Sequence, residues 1–257
     1  LKEENAKAYE HLNQKLQLEK DLQKWQEFQE KMYLPMPNEE GIIPQDDSFL
    51  SKPCLENITK YKESQIKQSV LLDYSREEVV NMQVLKQADV VMLLNLFPKL
   101  FDEEIVKKNV LFYENRTIHD SSLSYCAHAQ ACAAIGAMEL AWEFFRKCLV
   151  VDINENPHDS TDGVHSASLG GIWNCLIFGF AGVHYEKGVL YLTPNLPDQW
   201  KTMDFNMYIE GVKVHFTVGK DNITLSCEKK EGRKIRVKTA NKEYVLEDSL
   251  DLSLIHI

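Results

Sequence analysis

The sequence predicts an α+β protein: a large helical part first, then a small antiparallel β domain. Three observations carry this. Residues 84–97 and 163–183 are apolar nearly all round, as buried helices are. After Gly182 the period changes, and Val212, Val214, Phe216 and Val218 alternate with Lys213, His215 and Thr217. The helices come as one run and the strands as another, so the two kinds do not interleave as in a βαβ fold. Repeated buried helices joined by long loops suit a helical toroid better than a four-helix bundle.

Taken in order, residues 2–32 are rich in Lys, Glu and Gln. Leu12, Leu16, Trp25, Phe28 and Met32 form a broken stripe, which predicts a solvated helix pair. Residues 33–70 hold Pro35, Pro37, Gly41, Pro44 and Pro53 and read as a long irregular connection, a kind that often carries function. Ser75 and Glu78 form a capping box that opens a helix continuing through 84–97, which Pro98 punctuates. A short helix follows at 102–112. Asp120 caps a small-residue helix running to Gly136, an amphipathic helix covers 138–153, and the last helix covers 163–183. Strands are expected at 212–218, 223–227, 235–239 and 244–246, with turns at 210–211 and 219–222. The domains are then 1–183 and 184–251. The last six residues, 252–257, resemble the in-frame translation of a sequencing-library adapter and are assigned no structural meaning. Leu1 begins in mid-helix pattern without a cap or a starting Met, so both ends read as truncated.

Composition narrows the function. The 257 residues carry 29 Lys+Arg against 39 Asp+Glu, a formal net charge of -10, with no long basic block. Nucleic-acid binding is not expected. The six Cys include no C-x-x-C pair, which fits reduced thiols in a cytosolic protein. The longest apolar run, 169–183, is broken by Asn174 and is too short to span a bilayer.

Three segments concentrate polar chemistry. Lys86 and Gln87 interrupt an apolar helix, where a buried ammonium needs a partner. Either Lys86 pairs with Asp89 and snorkels outward, or it meets a ligand. His119, Asp120, Ser121 and Ser122 lie at a loop-to-helix junction, as helix caps or as pocket donors. His165, Ser166 and Ser168 precede Gly170 and Gly171 at a helix start. Those glycines either permit close helix packing or leave amides free for an anion. A metal site from His119, His165 and Asp162 lacks a supporting motif, so no metal is expected. His128, His158, His184 and His215 read as isolated residues, and Cys126, Cys132 and Cys175 as inert core thiols.

Lys86-Gln-Ala-Asp89, His119-Asp-Ser-Ser-Leu-Ser124 and Asp162-Gly-Val-His-Ser-Ala-Ser-Leu-Gly-Gly171, followed by Phe178-Gly-Phe-Ala-Gly182, together resemble glycoside hydrolase family 65. The resemblance covers about residues 1–225. It implies a cytoplasmic, homodimeric phosphorylase whose (α/α)6 barrel contributes its last helices here, ahead of a C-terminal β domain. Lys86 and Gln87 would bind substrate. His165, Ser166, Ser168, Gly170, Gly171, Ser121 and Ser122 would hold phosphate, with His119 and Asp120 in support. Phosphate is then the co-substrate and no cofactor is needed. The family's general-acid Glu stands in a Gly-Pro-Asp-Glu segment, which this sequence lacks, so this fragment alone is expected to be inactive. The alternatives are an α-glucoside hydrolase using Asp120 as base and a non-catalytic carbohydrate-binding module.

Overall fold

The computed structural model describes residues 2–3, 5–64, 66–153, 163–228, 234–239 and 242–254. Leu1–Met36 forms a unit of its own. It holds the expected helix pair, α1 (Ala6–Leu16) and α2 (Leu18–Lys31). Asn5 caps α1 through Oδ1, 3.0 Å from Ala8 N. Gln17 takes a left-handed φ of 54°, which ends one helix and starts the next.

The second unit, Pro37–Ile257, holds the remaining elements. Its helices are α3 (Ile58–Lys62), α4 (Arg76–Val80), α5 (Val90–Leu96), α6 (Glu103–Glu114), α7 (Ser124–Ala134), α8 (Met138–Leu149) and α9 (Ser166–Asn174). A π-helical run, Cys175–Phe180, continues α9. The irregular segment before α3 is fastened by side chains of α6. Asn109 donates to the carbonyls of Gly41 (2.7 Å) and Ile105 (2.8 Å) and accepts from Ile43 N (2.8 Å). α7 is almost wholly buried because its Ala, Cys and Ser side chains let its neighbours close in. A Cβ added at Gly171 of α9 would lie 2.3 Å from Cys126 Sγ, so only Gly allows this approach. All six cysteines are unpaired; burial raises the Cys126 and Cys175 thiols and pushes Cys132 up to about 12, which fits the inert core thiols expected there, and Cys148 is likewise pushed up to about 12.

One predicted helix is corrected. The capping box at Ser75 and Glu78 is present, but α4 ends at Val80 and α5 begins only at Val90. Between them the chain is extended and pairs with other segments: Gln83 with Cys54 and Leu85 with Thr117, both in parallel bridges. Backbone pairing outweighs the helical pattern here. Asp89 caps α5 through its carboxylate, and Lys86 makes no ion pair with it among the described residues.

The β part has two sheets. One runs β3 (Thr202–Ile209), β4 (Val212–Gly219), β5 (Asn222–Cys227) and β8 (Ser249–Ser253), all antiparallel. The other orders β1 (Val183–Glu186), β2 (Val189–Leu192), β6 (Ile235–Lys238) and β7 (Glu243–Leu246). Here the expectation of a purely antiparallel domain is corrected, because β2 and β6 pair in parallel. Three strands of the other sheet, β3, β4 and β5, intervene between them in sequence, so no hairpin dictates their direction. The tail assigned no structure also needs correction. Leu252 pairs with Ile223, is 2% exposed and completes β8, while residues 255–257 lie outside the described set. Gly182, at φ 60°, joins helix to sheet where any Cβ would meet Thr193 O at 2.0 Å. No helix among the described residues is long and apolar enough to cross a membrane.

Candidate functional site

Backbone hydrogen bonds stitch two of the three sequence segments together. Leu85 N donates to Arg116 O (2.8 Å), Ile118 N to Leu85 O (2.9 Å) and Asp120 N to Lys86 O (3.0 Å). Ser121 Oγ then donates to Gln87 Oε1 at 2.8 Å. The third segment joins through Ser168, whose Oγ donates to Ser122 O at 3.1 Å. Residues far apart in sequence thus meet at one cavity of about 590 Å³. Lys86, His119, Asp120, Ser121, Ser122 and His165 line it. So do Lys62, Lys67, Tyr125 and Lys147, which the sequence did not single out. Gln87, Ser166, Ser168, Gly170 and Gly171 do not line it. Lys62, the last residue of α3, and Lys67 lie in the 33–70 stretch that reads as an irregular connection in sequence, where no periodicity marks a residue as facing inward. Lys147 looks like any solvent-side lysine on an amphipathic helix.

Three local expectations change. Lys86 is exposed and lies at a bend between α4 and α5, so it is not an ammonium forced into an apolar helix. Asp120 does not cap α7; its Oδ2 accepts from Gln68 N at 2.9 Å. The start of α9 does not offer an open set of amides. His165 N donates to Asp152 Oδ2 (2.9 Å), and Ser168 N and Leu169 N both donate to His165 O. Gly170 and Gly171 are the fifth and sixth residues of α9, so their amides belong to its hydrogen-bond ladder. The close-packing reading of Gly171 is the one its geometry fits. A carboxylate, Asp152, already sits at this helix N-terminus, where the dipole favours it. Asp162 and His158 lie outside the described residues.

Behind the cavity wall is a buried polar network. Glu114 Oε1 accepts from Lys62 Nζ at 2.7 Å, and its Oε2 lies 3.1 Å from His119 Nε2 and 2.7 Å from His128 Nδ1. His119 Nδ1 meets Ser124 Oγ at 2.8 Å. Burial pushes the Glu114 carboxyl up, but hydrogen bonds from the two histidines outweigh it and hold the group well below the usual carboxylate range. Burial drives His119 down to about 4 against the pull of Glu114, so the ring is neutral at pH 7. An ionised Glu114 only accepts, so His119 carries its hydrogen on Nε2 and takes the Ser124 hydroxyl proton at Nδ1. Both ring nitrogens are then engaged, and the network holds His119 at a left-handed φ of 55°. By residue type Glu114, His119 and His128 could ligate a metal, with ligand atoms within 4.8 Å of one another. Their N···O separations are hydrogen-bond lengths, however, and the Lys62 ammonium occupies the same carboxylate, so the cluster reads as an internal scaffold.

Known proteins match this chain closely. It is 42% identical over 198 residues to the kojibiose phosphorylase of Escherichia coli strain K12, covering 77% of this chain and 26% of that protein. It is 32% identical over 248 residues to the α,α-trehalose phosphorylase of Thermoanaerobacter brockii, covering 96% and 31%. The maltose phosphorylase of Bacillus subtilis strain 168 is 30% identical over 213 residues, covering 83% and 28%. A solved structure described as a candidate kojibiose phosphorylase from the human microbiome superimposes with a TM-score of 0.79 at 26% identity, over 91% of this chain and 34% of that one. The chain therefore spans about a quarter to a third of the length of these relatives. The profile of the glycosyl hydrolase family 65 central catalytic domain matches residues 2–174 and that of the family's C-terminal domain matches residues 184–246. On that coverage, the chain belongs to glycoside hydrolase family 65.

Proposed function

We propose that this chain is the C-terminal part of an inverting glycoside phosphorylase, contributing the last helices of an (α/α)6 barrel and the β domain beyond it. With inorganic phosphate, the whole enzyme splits an α-glucosidic disaccharide into β-glucose 1-phosphate and a free sugar. It works in the cytoplasm as a homodimer and needs no cofactor. A phosphate oxygen attacks the anomeric carbon as the glycosidic bond breaks, and the departing oxygen takes a proton from a general acid. Phosphate is already an anionic nucleophile, so the reaction needs a cationic or neutral cradle in place of a base. One observation carries the reading. The cavity joining the three polar segments is lined by four lysines (62, 67, 86 and 147) and two histidines, against two carboxylates, Glu63 and Asp120. Lys62 is ion-paired with Glu114 and Lys147 with Glu143, so among the described residues Lys67 and Lys86 are the ammonium groups left to draw a dianion into the cavity. In this reading Lys86 and Gln87 bind sugar, and His165 with Ser121 and Ser122 faces phosphate. Ser166 and Ser168 take supporting places at the start of α9.

The sequence has no Gly-Pro-Asp-Glu segment to supply the acid, so the 257-residue chain is proposed to be inactive alone. A second reading, an α-glucoside hydrolase, draws support from Asp120 on the cavity wall and from the His165–Asp152 pair, which resembles a base and its orienting carboxylate. The test uses the chain completed with the preceding domains of a family 65 phosphorylase. Initial rates are measured against phosphate for wild type and His165→Ala. The phosphorylase reading expects no cleavage without phosphate and a raised phosphate requirement in the variant. Equal cleavage without phosphate would replace it with the hydrolase.

A further inference from the structure

Tyr125 is the exception in α7. Among residues 124–133 it alone is not buried, and it lines the cavity together with Ser121 and Ser122. Its hydroxyl makes no hydrogen bond among the described residues and is not sealed in the core, so it opens to the cavity. The ring, by contrast, is held on several sides. It stacks on His119, with centroids 4.9 Å apart and planes 14° from parallel, and its centroid lies 5.9 Å from that of Phe144. His119 is itself fixed by Glu114 and Ser124. The Lys147 ammonium, tied to Glu143 at 2.6 Å, stands 5.3 Å from the Tyr125 centroid. A cation against an aromatic ring draws on its electron density, which makes the phenol a stronger donor. The buried polar network thus ends in a fixed ring whose one polar atom is unused.

We infer that Tyr125 binds the nucleophile: its hydroxyl donates a hydrogen bond to inorganic phosphate held in the cavity. The inference rests on the phosphorylase reading, which makes inorganic phosphate the co-substrate. A phosphate dianion is chiefly an acceptor, so donors meet it best. Burial raises the Tyr125 phenol above its ordinary value, so the hydroxyl keeps a hydrogen to give at neutral pH. A sugar hydroxyl gains less from such a donor, because hydrogen bonds to ionised acceptors are the stronger kind. The stacked ring is already in place, so little side-chain freedom is lost when the anion binds. The phenol also adds to the hold of Lys67 and Lys86 without requiring another charge.

The test compares wild type with Tyr125→Phe in the chain completed with the preceding domains of a family 65 phosphorylase. Initial rates are read against phosphate and against disaccharide. The substitution removes only the hydroxyl and keeps the stacked ring, so the unfolding midpoint should stay put. The Michaelis constant for phosphate should rise by about tenfold, the worth of a hydrogen bond to a charged group, while that for disaccharide stays unchanged. An unchanged phosphate requirement in the variant overturns the inference and leaves the phosphorylase reading intact. So does a rise in the disaccharide constant as large as that for phosphate or larger, which assigns the hydroxyl to the sugar or to the general shape of the cavity. A wild type that cleaves disaccharide equally fast without phosphate removes the phosphorylase reading, and this inference with it.

Discussion

The helical part and the β domain of the second unit are built on different kinds of core. In the β domain, Val212, Val214, Phe216, Val218, Ile223 and Leu225 close an apolar interior, and Thr239 is the one polar residue buried there among the described residues. The helical part buries Asn109, Glu114, Thr117, His119, Ser124 and His128 among its apolar side chains. Apolar burial is non-directional and tolerates many sequences. Hydrogen bonds in a low dielectric are directional, and they are costly when half satisfied. The directional core lies directly behind the cavity, where Lys62 and the turn at His119 must be held in place. The difference teaches that the polar interior is the price of a placed site, while the β domain only has to be stable.

Glu114→Ala should break this contrast most severely. It leaves the Lys62 ammonium and two buried imidazoles without their shared acceptor. Removing one partner of a buried charged network costs about 3–5 kcal/mol. Denaturant unfolding would measure it, and a cost below about 1 kcal/mol would show that the network holds nothing.

Acid should then sharpen the contrast, because among the described residues the buried histidines lie in the helical core. His119 titrates near 4 in the fold against an ordinary 6.5. As pH falls below 6.5 the unfolded chain takes up this proton first, so stability declines until about pH 4, by roughly 3 kcal/mol. Glu114 acts in the same direction lower down, since its depressed carboxyl adds stability that is lost as pH falls below its ordinary 4.5. His119→Gln should flatten the decline between pH 6.5 and 4. An undiminished slope in that variant would place the acid sensitivity elsewhere.

The β domain supplies the opposite case. Leu252 is 2% exposed and packs in an edge strand opposite Ile223. Leu252→Ala should cost about 2 kcal/mol, at the low end for a buried leucine, with no change in pH dependence. A negligible cost would mean that the last residues of β8 add nothing to the sheet.

These cases also show what the sequence made legible. Alternation revealed β4 and β5 because each has one face in an apolar core. The same signal lay in Met203, Phe205, Met207 and Ile209 of β3, where the intervening residues were not read as a second face. The pattern across 84–97 predicts one helix, but apolar residues in a bridged, non-helical segment look the same as those in a buried helix, and only 90–96 is helical. Lys86 lines the cavity, but not as the ammonium in an apolar helix that the pattern implies. Glu114 and Asp152 stayed hidden. A buried carboxylate on an amphipathic helix and one in a loop both look like solvent-facing charges until their partners are seen.

Lys86→Ala is the smallest perturbation of the fold and the one that separates placing a site from using it. The side chain is exposed, and no described residue pairs with its ammonium, so nothing in the core depends on it. Stability should move by less than about 0.5 kcal/mol. The backbone carbonyl that receives Asp120 N is kept in the variant, so the stitch between the two segments survives. What is lost is a charged donor at the cavity wall. Charge-assisted hydrogen bonds are worth about 1.5–3 kcal/mol, or roughly one to two orders of magnitude in affinity. In the completed enzyme the Michaelis constant for disaccharide should rise by that factor while the unfolding midpoint stays put. An unchanged Michaelis constant with unchanged stability would leave Lys86 as a solvated lysine and move sugar recognition to Gln87, whose amide oxygen is already tied to Ser121.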